Sequence, residues 1–404
     1  MSHSPKTGPT TGSVPPQPQQ SMEDGASHPS ASPARTASGV AIDRRAALGR
    51  LGTVAAGGAL AACGGPGTDA PAVQARPRVR WNLVSSFPAA LDTIFGAAEV
   101  FATKLAELTD GRFTVRVNQA GELVPGLQVL DAVQQGSAQA GHTASYYYTG
   151  KHPALAFDTA MPFGLDSRQQ TAWLVEGGGL ELLRGVFADF NIINFPSGNT
   201  GVQMGGWFRR EVPTLADLRG LKMRIPGLGA QVLSELGVTV QTLSGGEIYT
   251  ALERGAIDAT EWVGPYDDEK LGFHEIADFY YYPGWWEPGP SLSLYVNRGA
   301  WDSLTAEYKA AVEAASSHAH LTMQARYDAL NPPALERLLA KGVQLRPFSA
   351  DVMQAAHDIA FELMEQNAAA EASYRRILES WKPFRKTSLA WFGTAELAMA
   401  QFRR

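Results

Sequence analysis

Glu247-Ile-Tyr-Thr-Ala-Leu-Glu-Arg-Gly-Ala-Ile-Asp-Ala-Thr-Glu-Trp-Val-Gly-Pro-Tyr-Asp-Asp-Glu-Lys270 reads as a helix, a glycine stop, a short strand and an acidic-aromatic pair. Ile248, Ala251 and Leu252 recur at helical spacing. Gly255 stands where a left-handed residue ends a helix. Ala256-Ile257-Asp258-Ala259 is too short for a helix and suits a strand. Open α/β sheets bind ligands beyond the carboxyl ends of their strands. Glu261 and Trp262 fall at that place, so the segment predicts a ligand site along with an α/β unit.

The same grammar occurs upstream. Leu130-Asp-Ala-Val-Gln-Gln-Gly136-Ser-Ala-Gln-Ala140 again runs helix, glycine, short apolar strand, and Ser145-Tyr146-Tyr147-Tyr148 follows. Ala132 and Gly136 correspond to Ala251 and Gly255. Two such units predict an α/β chain of two lobes facing one cleft, although helix-glycine-strand units are common in any α/β protein. Val79–Val84 alternates as a first strand, Asp92–Leu108 carries helical spacing, and Phe113–Asn118 alternates again. This order implies parallel or mixed sheets with helices on their faces. The chain changes lobe near Asn199. Gly201–Gly205 opens a strand, Pro213–Gly220 is a short helix, and Leu221–Pro226 is a strand with Arg224 at its carboxyl end. Leu292–Asn297 crosses back. From Thr305 the chain is mostly helical, broken at Asn331-Pro332-Pro333 and near Lys341-Gly342. The expected organisation is lobe I from 78–200 and 290–331, and lobe II from 201–289 and 332–404. The C-terminal helices pack across both lobes or on a partner subunit, which leaves a homo-oligomer open.

Residues 1–62 read as a disordered leader followed by an export signal. The first 42 or so are rich in Ser, Pro, Gly, Gln and Thr and lack apolar periodicity. Arg44-Arg45 precedes the weakly apolar run Ala46–Ala62, a pattern of export with twin arginines. The match is partial, since Asp43 precedes the pair and Arg50 interrupts the run. Leu60-Ala61-Ala62-Cys63 resembles a bacterial lipobox, which implies acylation of Cys63 and a lipid-anchored tether over 63–77. Cys63 is the sole cysteine, so no intramolecular disulfide forms. From Cys63 onward 29 Lys+Arg stand against 37 Asp+Glu, a formal charge of −8. No basic cluster offers a nucleic-acid or membrane-surface footprint. Beyond the signal no apolar run has the length of a membrane span.

Asp217-Leu-Arg-Gly-Leu-Lys-Met-Arg-Ile-Pro226, Glu247–Asp258 and the unit Leu130–Ala140 together resemble the solute-binding (DctP-type) subunits of TRAP transporters. The resemblance covers roughly Arg78–Arg404. It implies a two-lobed periplasmic-binding fold with a hinge, a periplasmic location, and TRAP membrane permease subunits as partners. Ala259 stands where many members have glycine. Glu261-Trp-Val-Gly-Pro-Tyr-Asp-Asp268, with Trp285-Trp286-Glu287-Pro288, looks more narrowly like the branch that binds 2-oxo acids with a cation.

The site residues follow from this. Arg224 offers parallel donors that match a carboxylate, and the resemblance places the carboxylate clamp there; otherwise it is a structural ion pair. Several family members carry a second arginine near position 203, where Gln203 stands here. Glu261 and Glu287 repel each other unless a cation or proton intervenes. With the Gln203 amide oxygen and the Trp262 carbonyl they make an all-oxygen set, which selects a hard cation such as Na+ or Ca2+. Phe87, Tyr147, Tyr148, Trp262 and Trp286 are candidates for the cleft wall, or else ordinary core aromatics. His142 and His152 read as polar-face or capping residues.

Three functions compete. The first is a non-enzymatic receptor for a small-molecule carboxylate such as pyruvate, or lactate with calcium. The second is a secreted hydrolase using Glu261 and Glu287 as acid and base. Against it, Arg224 depresses the pKa of a neighbouring carboxylate. The third is a sensor lipoprotein with the same fold.

Overall fold

A computed structural model describes residues 77–403. The leader, the twin arginines, Cys63 and nearly all of the tether lie outside the described residues. Among the described residues eleven strands form two mixed sheets. The strands are β1 (Val79–Ser85), β2 (Phe113–Asn118), β3 (Ala140–Thr143), β4 (Ile192–Asn199), β5 (Gly206–Phe208) and β6 (Lys222–Arg224). They continue as β7 (Thr239–Gln241), β8 (Ala259–Thr260), β9 (Phe279–Tyr282), β10 (Ser291–Asn297) and β11 (Gln344–Pro347). The first sheet has the order β2-β1-β3-β10-β4 and the second β11-β9-β5-β8-β6-β7. β10 runs antiparallel between β3 and β4, and β5 antiparallel between β9 and β8. The other neighbours are parallel.

Both glycine stops form as their sequence implies. Gly136 and Gly255 have φ of 76° and 69°, a region that costs other residues a Cβ clash. After the helix Gly245–Glu253, Gly255 N donates to Leu252 O and Ala256 N to Ala251 O. This is the paired closure of a Schellman end. After the helix Val129–Gln134, Gly136 N donates to Val133 O and Ala138 N to Ala132 O. The cap shifts each strand downstream of the expected place. The amides of Ala256 and Ile257 are spent on the Ala251 carbonyl, so pairing begins only at Ala259. For the same reason β3 begins at Ala140 and not at Ser137. Gly201–Gly205 is likewise not strand; β5 starts at Gly206, where φ is 85° and a Cβ would lie 2.2 Å from Thr260 O.

The C-terminal part departs from expectation at the prolines. A single helix, Ala306–Ala340, runs through Pro332 and Pro333. Proline removes a backbone donor and crowds the preceding turn. Packing outweighs that cost here, since Tyr327, Ala334 and Leu338 are buried on either side. Asn331 also accepts from Tyr266 N at 3.0 Å. The break near Lys341-Gly342 does form. β11, which the helical reading of this region missed, then adds to the second sheet. The helix Ala350–Ala370 packs on Gly227–Glu235, while Ala372–Phe392 packs on Ser167–Val175 and Gly179–Ala188. Tyr374 and Trp381 enter the core against Phe157, with ring centroids 4.9 and 5.9 Å away. No described helix is long and apolar enough to cross a membrane.

Candidate functional site

β6 and β8 are parallel neighbours with Arg224 opposite Thr260. That register places Arg224, at the end of one strand, beside Glu261, the first residue past the other. The Arg224 side chain is 1% exposed and forms an ion pair through Nη1 with Glu261 Oε1. Its Nε and Nη2 donate to the Leu243 carbonyl at 3.1 and 3.0 Å. The guanidinium also lies over the Trp262 ring, 5.2 Å from its centroid, which adds a cation–π attraction. Behind the strand end, Asp268 holds the loop. It accepts from Val263 N at 3.3 Å, from Trp207 Nε1 at 3.0 Å and from Tyr280 Oη at 2.7 Å.

Gln203 reaches the same place from the segment before β5. Its backbone N donates to Glu287 O at 3.1 Å, so these two residues are tied together. Its Nε2 donates to Thr200 Oγ1 at 3.3 Å, which leaves Oε1 without a donor. Gln203 Oε1, Glu261 Oε2 and Glu287 Oε2 are all buried with no hydrogen-bond partner among the described residues. Buried polar atoms are normally satisfied, so three orphan oxygens fit a missing positive ligand. Among the described residues no group of three or more His, Cys, Asp or Glu side chains is arranged for a metal. The oxygens gathered here are those of two carboxylates and the Gln203 amide. That donor set suits a hard cation.

The electrostatics agree. Burial pushes the Glu261 carboxyl up to about 7, and nearby Asp268 adds to this while Arg224 works against it. Glu287 is held well above the usual carboxylate range by burial and then by the charge of Glu261. Burial opposes the Arg224 charge, yet Glu261 and Tyr147 hold its pKa above the ordinary value. Two buried carboxylates thus share one guanidinium and favour taking up a proton or a cation. Burial also raises Asp267 to about 7 and Asp268 to about 6.

A small cavity joins these groups. Phe87, Ile94, Tyr146, Tyr147, Thr200, Gln203, Arg224, Trp262, Val263 and Leu292 line it, and its free space is only about 10 Å³. That is room for about one water, so the groups around it must draw apart to admit anything larger. Five of the residues singled out from the sequence are therefore together: Arg224, Gln203, Phe87, Tyr147 and Trp262. Glu261 and Glu287 join them through the ion pair and the Gln203 backbone bond. Tyr148 stands elsewhere. Its hydroxyl meets Thr143 Oγ1 at 3.0 Å and accepts from Leu130 N at 3.3 Å, and it packs on Tyr295. Trp286 packs on Trp285 and Phe348 in the core.

Sequence reasoning missed Tyr146, although it quoted the tyrosine run. Tyr146 interacts with Glu287, and Tyr147 with Arg224. The turn Ser145–Tyr148 sends successive side chains in different directions, which the run alone does not resolve. Ile94, Val263 and Leu292 carried no signal beyond being apolar. His142 corrects the polar-face reading: it is fully buried in β3, 5.5 Å from the Phe87 ring, and burial pushes its pKa down to about 3. His152 is a cap, accepting from Ala154 N at 3.2 Å.

With this geometry in place, the chain can be set beside known proteins. The family model DctP, bacterial extracellular solute-binding protein family 7, matches residues 84–371. A monocarboxylate 2-oxoacid-binding periplasmic protein of Nostoc sp. is 55% identical over 89% of this chain and 99% of its own length. A TRAP transporter solute-binding protein of Bordetella bronchiseptica, with calcium and picolinate in its active site, superposes with a TM-score of 0.80. It is 45% identical over 81% of this chain and 98% of that one. A TRAP periplasmic solute-binding protein of Pseudoalteromonas atlantica, with bound sodium and pyruvate, gives 0.78 and 40% identity. That match covers 80% of this chain and 99% of the other.

Proposed function

The chain belongs to the bacterial extracellular solute-binding proteins of family 7 (DctP), and on that premise we propose that it is a periplasmic TRAP-transporter receptor for a small 2-oxo monocarboxylate such as pyruvate. The acid binds together with a hard cation and passes to the membrane permease. Arg224 clamps the ligand carboxylate with charge-assisted hydrogen bonds. Gln203 Oε1, Glu261, Glu287 and the Trp262 carbonyl hold sodium or calcium, which neutralises the carboxylate pair. The ligand's own oxygens complete the shell. Tyr147 orients Arg224, and Phe87 and Trp262 exclude water. The observation that carries this reading is the trio of orphan oxygens beside a buried guanidinium.

The protein is read as a receptor and not an enzyme. The expected depression of Glu261 by Arg224 does not prevail, since burial raises that carboxyl to about 7; support for the receptor reading comes instead from the solute-binding family and its relatives. The lobes are taken as 78–200 with 290–331 and 201–289 with 332–404. The division into two sheets supports this, although the helix Ala372–Phe392 reaches back to helices of the first lobe. Closure of lobes about a hinge is the usual means of trapping a ligand in such folds. Twin-arginine export and a lipid anchor at Cys63 complete the proposal.

Thermal unfolding with and without pyruvate, in sodium, calcium or chelator, tests it. A ligand at a hundred times its dissociation constant adds about 2.7 kcal/mol of stability. A shift that requires both the acid and a cation is the expected result. No shift with any small 2-oxo or 2-hydroxy acid would discard the ligand class.

A further inference from the structure

The cavity draws on both sheets, and Tyr146 and Tyr147, which follow β3 of the first, add hydroxyls beside Glu287 and Arg224. Its polar anchors, Arg224 and Gln203 with Glu261 and Glu287 behind them, come from the second sheet and its loops. Phe87 and Ile94 follow β1, and Leu292 lies in β10, so an apolar wall comes from the first sheet. Ile94 and Leu292 are 3% and 2% exposed and share one cluster with Phe87 and Trp262. An acid held by its carboxylate on the polar side therefore points its carbon chain at this wall. We propose that Leu292, seconded by Ile94, grades 2-oxo acids by the length and branching of that chain. The proposal rests on the reading of the cavity as a 2-oxo acid site.

The wall has little freedom to yield. Leu292 pairs with Gly198 of β4. A Cβ on Gly198 would sit 3.2 Å from the Leu292 Cβ and 2.5 Å from Met323 Cε, so glycine is what lets Met323 close up behind the strand. Met323 belongs to the long helix Ala306–Ala340 and is buried. Leu292 is thus backed by a packed strand and helix, and the cavity has free space of only about 10 Å³. A longer chain on the acid is therefore pressed against Leu292. Discrimination by such a wall is modest per carbon, since one methylene in an apolar pocket changes affinity by about 10- to 200-fold.

Substituting Leu292→Ala removes three carbons, the number by which 4-methyl-2-oxopentanoate exceeds pyruvate. Dissociation constants of both acids, measured by titration calorimetry on the full chain with saturating cation, read the effect as a ratio. Leu292→Ala is expected to shift that ratio toward the longer acid by about tenfold or more. Ile94→Ala is expected to shift it in the same direction by less. Leu294→Ala, two residues along β10 in a different core cluster and off the cavity lining, is expected to keep the wild-type ratio. Should Leu292→Ala not fold, Leu292→Val with 2-oxobutanoate against pyruvate makes the same comparison one carbon at a time. An unchanged ratio in the folded Leu292 variant, or an equal shift in Leu294→Ala, overturns the proposal and leaves the 2-oxo acid reading standing. Wild-type protein that binds no 2-oxo acid overturns both.

Discussion

Arg224 meets three kinds of partner: the Glu261 carboxylate, the Leu243 carbonyl and the Trp262 ring. It carries charge in a place where burial opposes charge. Truncating one partner of a buried charge pair costs about 2–5 kcal/mol of binding. Arg224→Ala is therefore expected to weaken acid binding about thirtyfold to several-thousandfold. Calorimetric titration with pyruvate in saturating sodium or calcium reads this directly, and an unchanged constant would remove Arg224 from the site. Arg224 and Glu261 were legible as residues because each stands at a strand end in a recognisable motif. Tyr146 and Leu292 were not, because turn geometry and packing across sheets decide what they face.

At the scale of elements, the glycine stops and the C-terminal helix separate two kinds of constraint. Gly255 has φ of 69°, and a Cβ there would approach only the flexible end of Arg209, at 3.1 Å. Gly255→Ala is expected to cost about 1–2 kcal/mol, the strain of a left-handed non-glycine residue. Gly206→Ala is expected to cost more, because its Cβ would strike the Thr260 carbonyl one residue before Glu261. Urea titrations of the two variants should rank them in that order. Trp381 is fully buried on the helix Ala372–Phe392, and Trp381→Ala should cost about 3–5 kcal/mol. A loss under 1 kcal/mol would mean that this helix adds little to the stability of the fold. Past Trp381 the chain changes character: Trp391, in the last turn of this helix, and Phe402 are exposed.

For the whole molecule, the raised carboxyls link stability to pH. Glu261 and Asp267 are held at about 7 and Asp268 at about 6 by burial, all above ordinary carboxyl values. Between about pH 4.5 and 7 the native state therefore binds more protons than the unfolded chain. These carboxyls make the stability of the ligand-free protein fall as pH rises through that window, and His142 and His320, held neutral by burial at about 3 and 4, offset part of the fall below about pH 6.5. Each such group contributes at most about 1.4 kcal/mol per pH unit. The midpoint of thermal unfolding is expected to drop from pH 5 to pH 7.5 without cation and acid, and to change less with both present. On the proposed reading a cation takes the place of the proton that the raised carboxyls of Glu261 and Glu287 favour. A ligand-free midpoint that rises across this range contradicts the assignment.

Much of the architecture was local enough to be written in the chain. Helix-stop glycines at 136 and 255, alternating strands at 79–84 and 113–118, the strand at 292–297, and the motifs around Arg224 and Glu261 are short-range patterns. Short-range patterns survive without knowledge of the fold, and here they were enough to place the chain among TRAP solute-binding proteins. Tertiary structure decided what depends on distant partners. It carried a helix through Pro332-Pro333 because packing by Tyr327 and Leu338 outweighed the lost backbone bonds. It moved strand starts past the caps, turned Tyr148 into the core and brought Tyr146 into the cavity. It also left three oxygens from residues 203, 261 and 287 without donors beside one guanidinium. That juxtaposition is set by the pairing of β6 with β8 and by the Gln203–Glu287 backbone bond, contacts between residues far apart in sequence that no local pattern encodes.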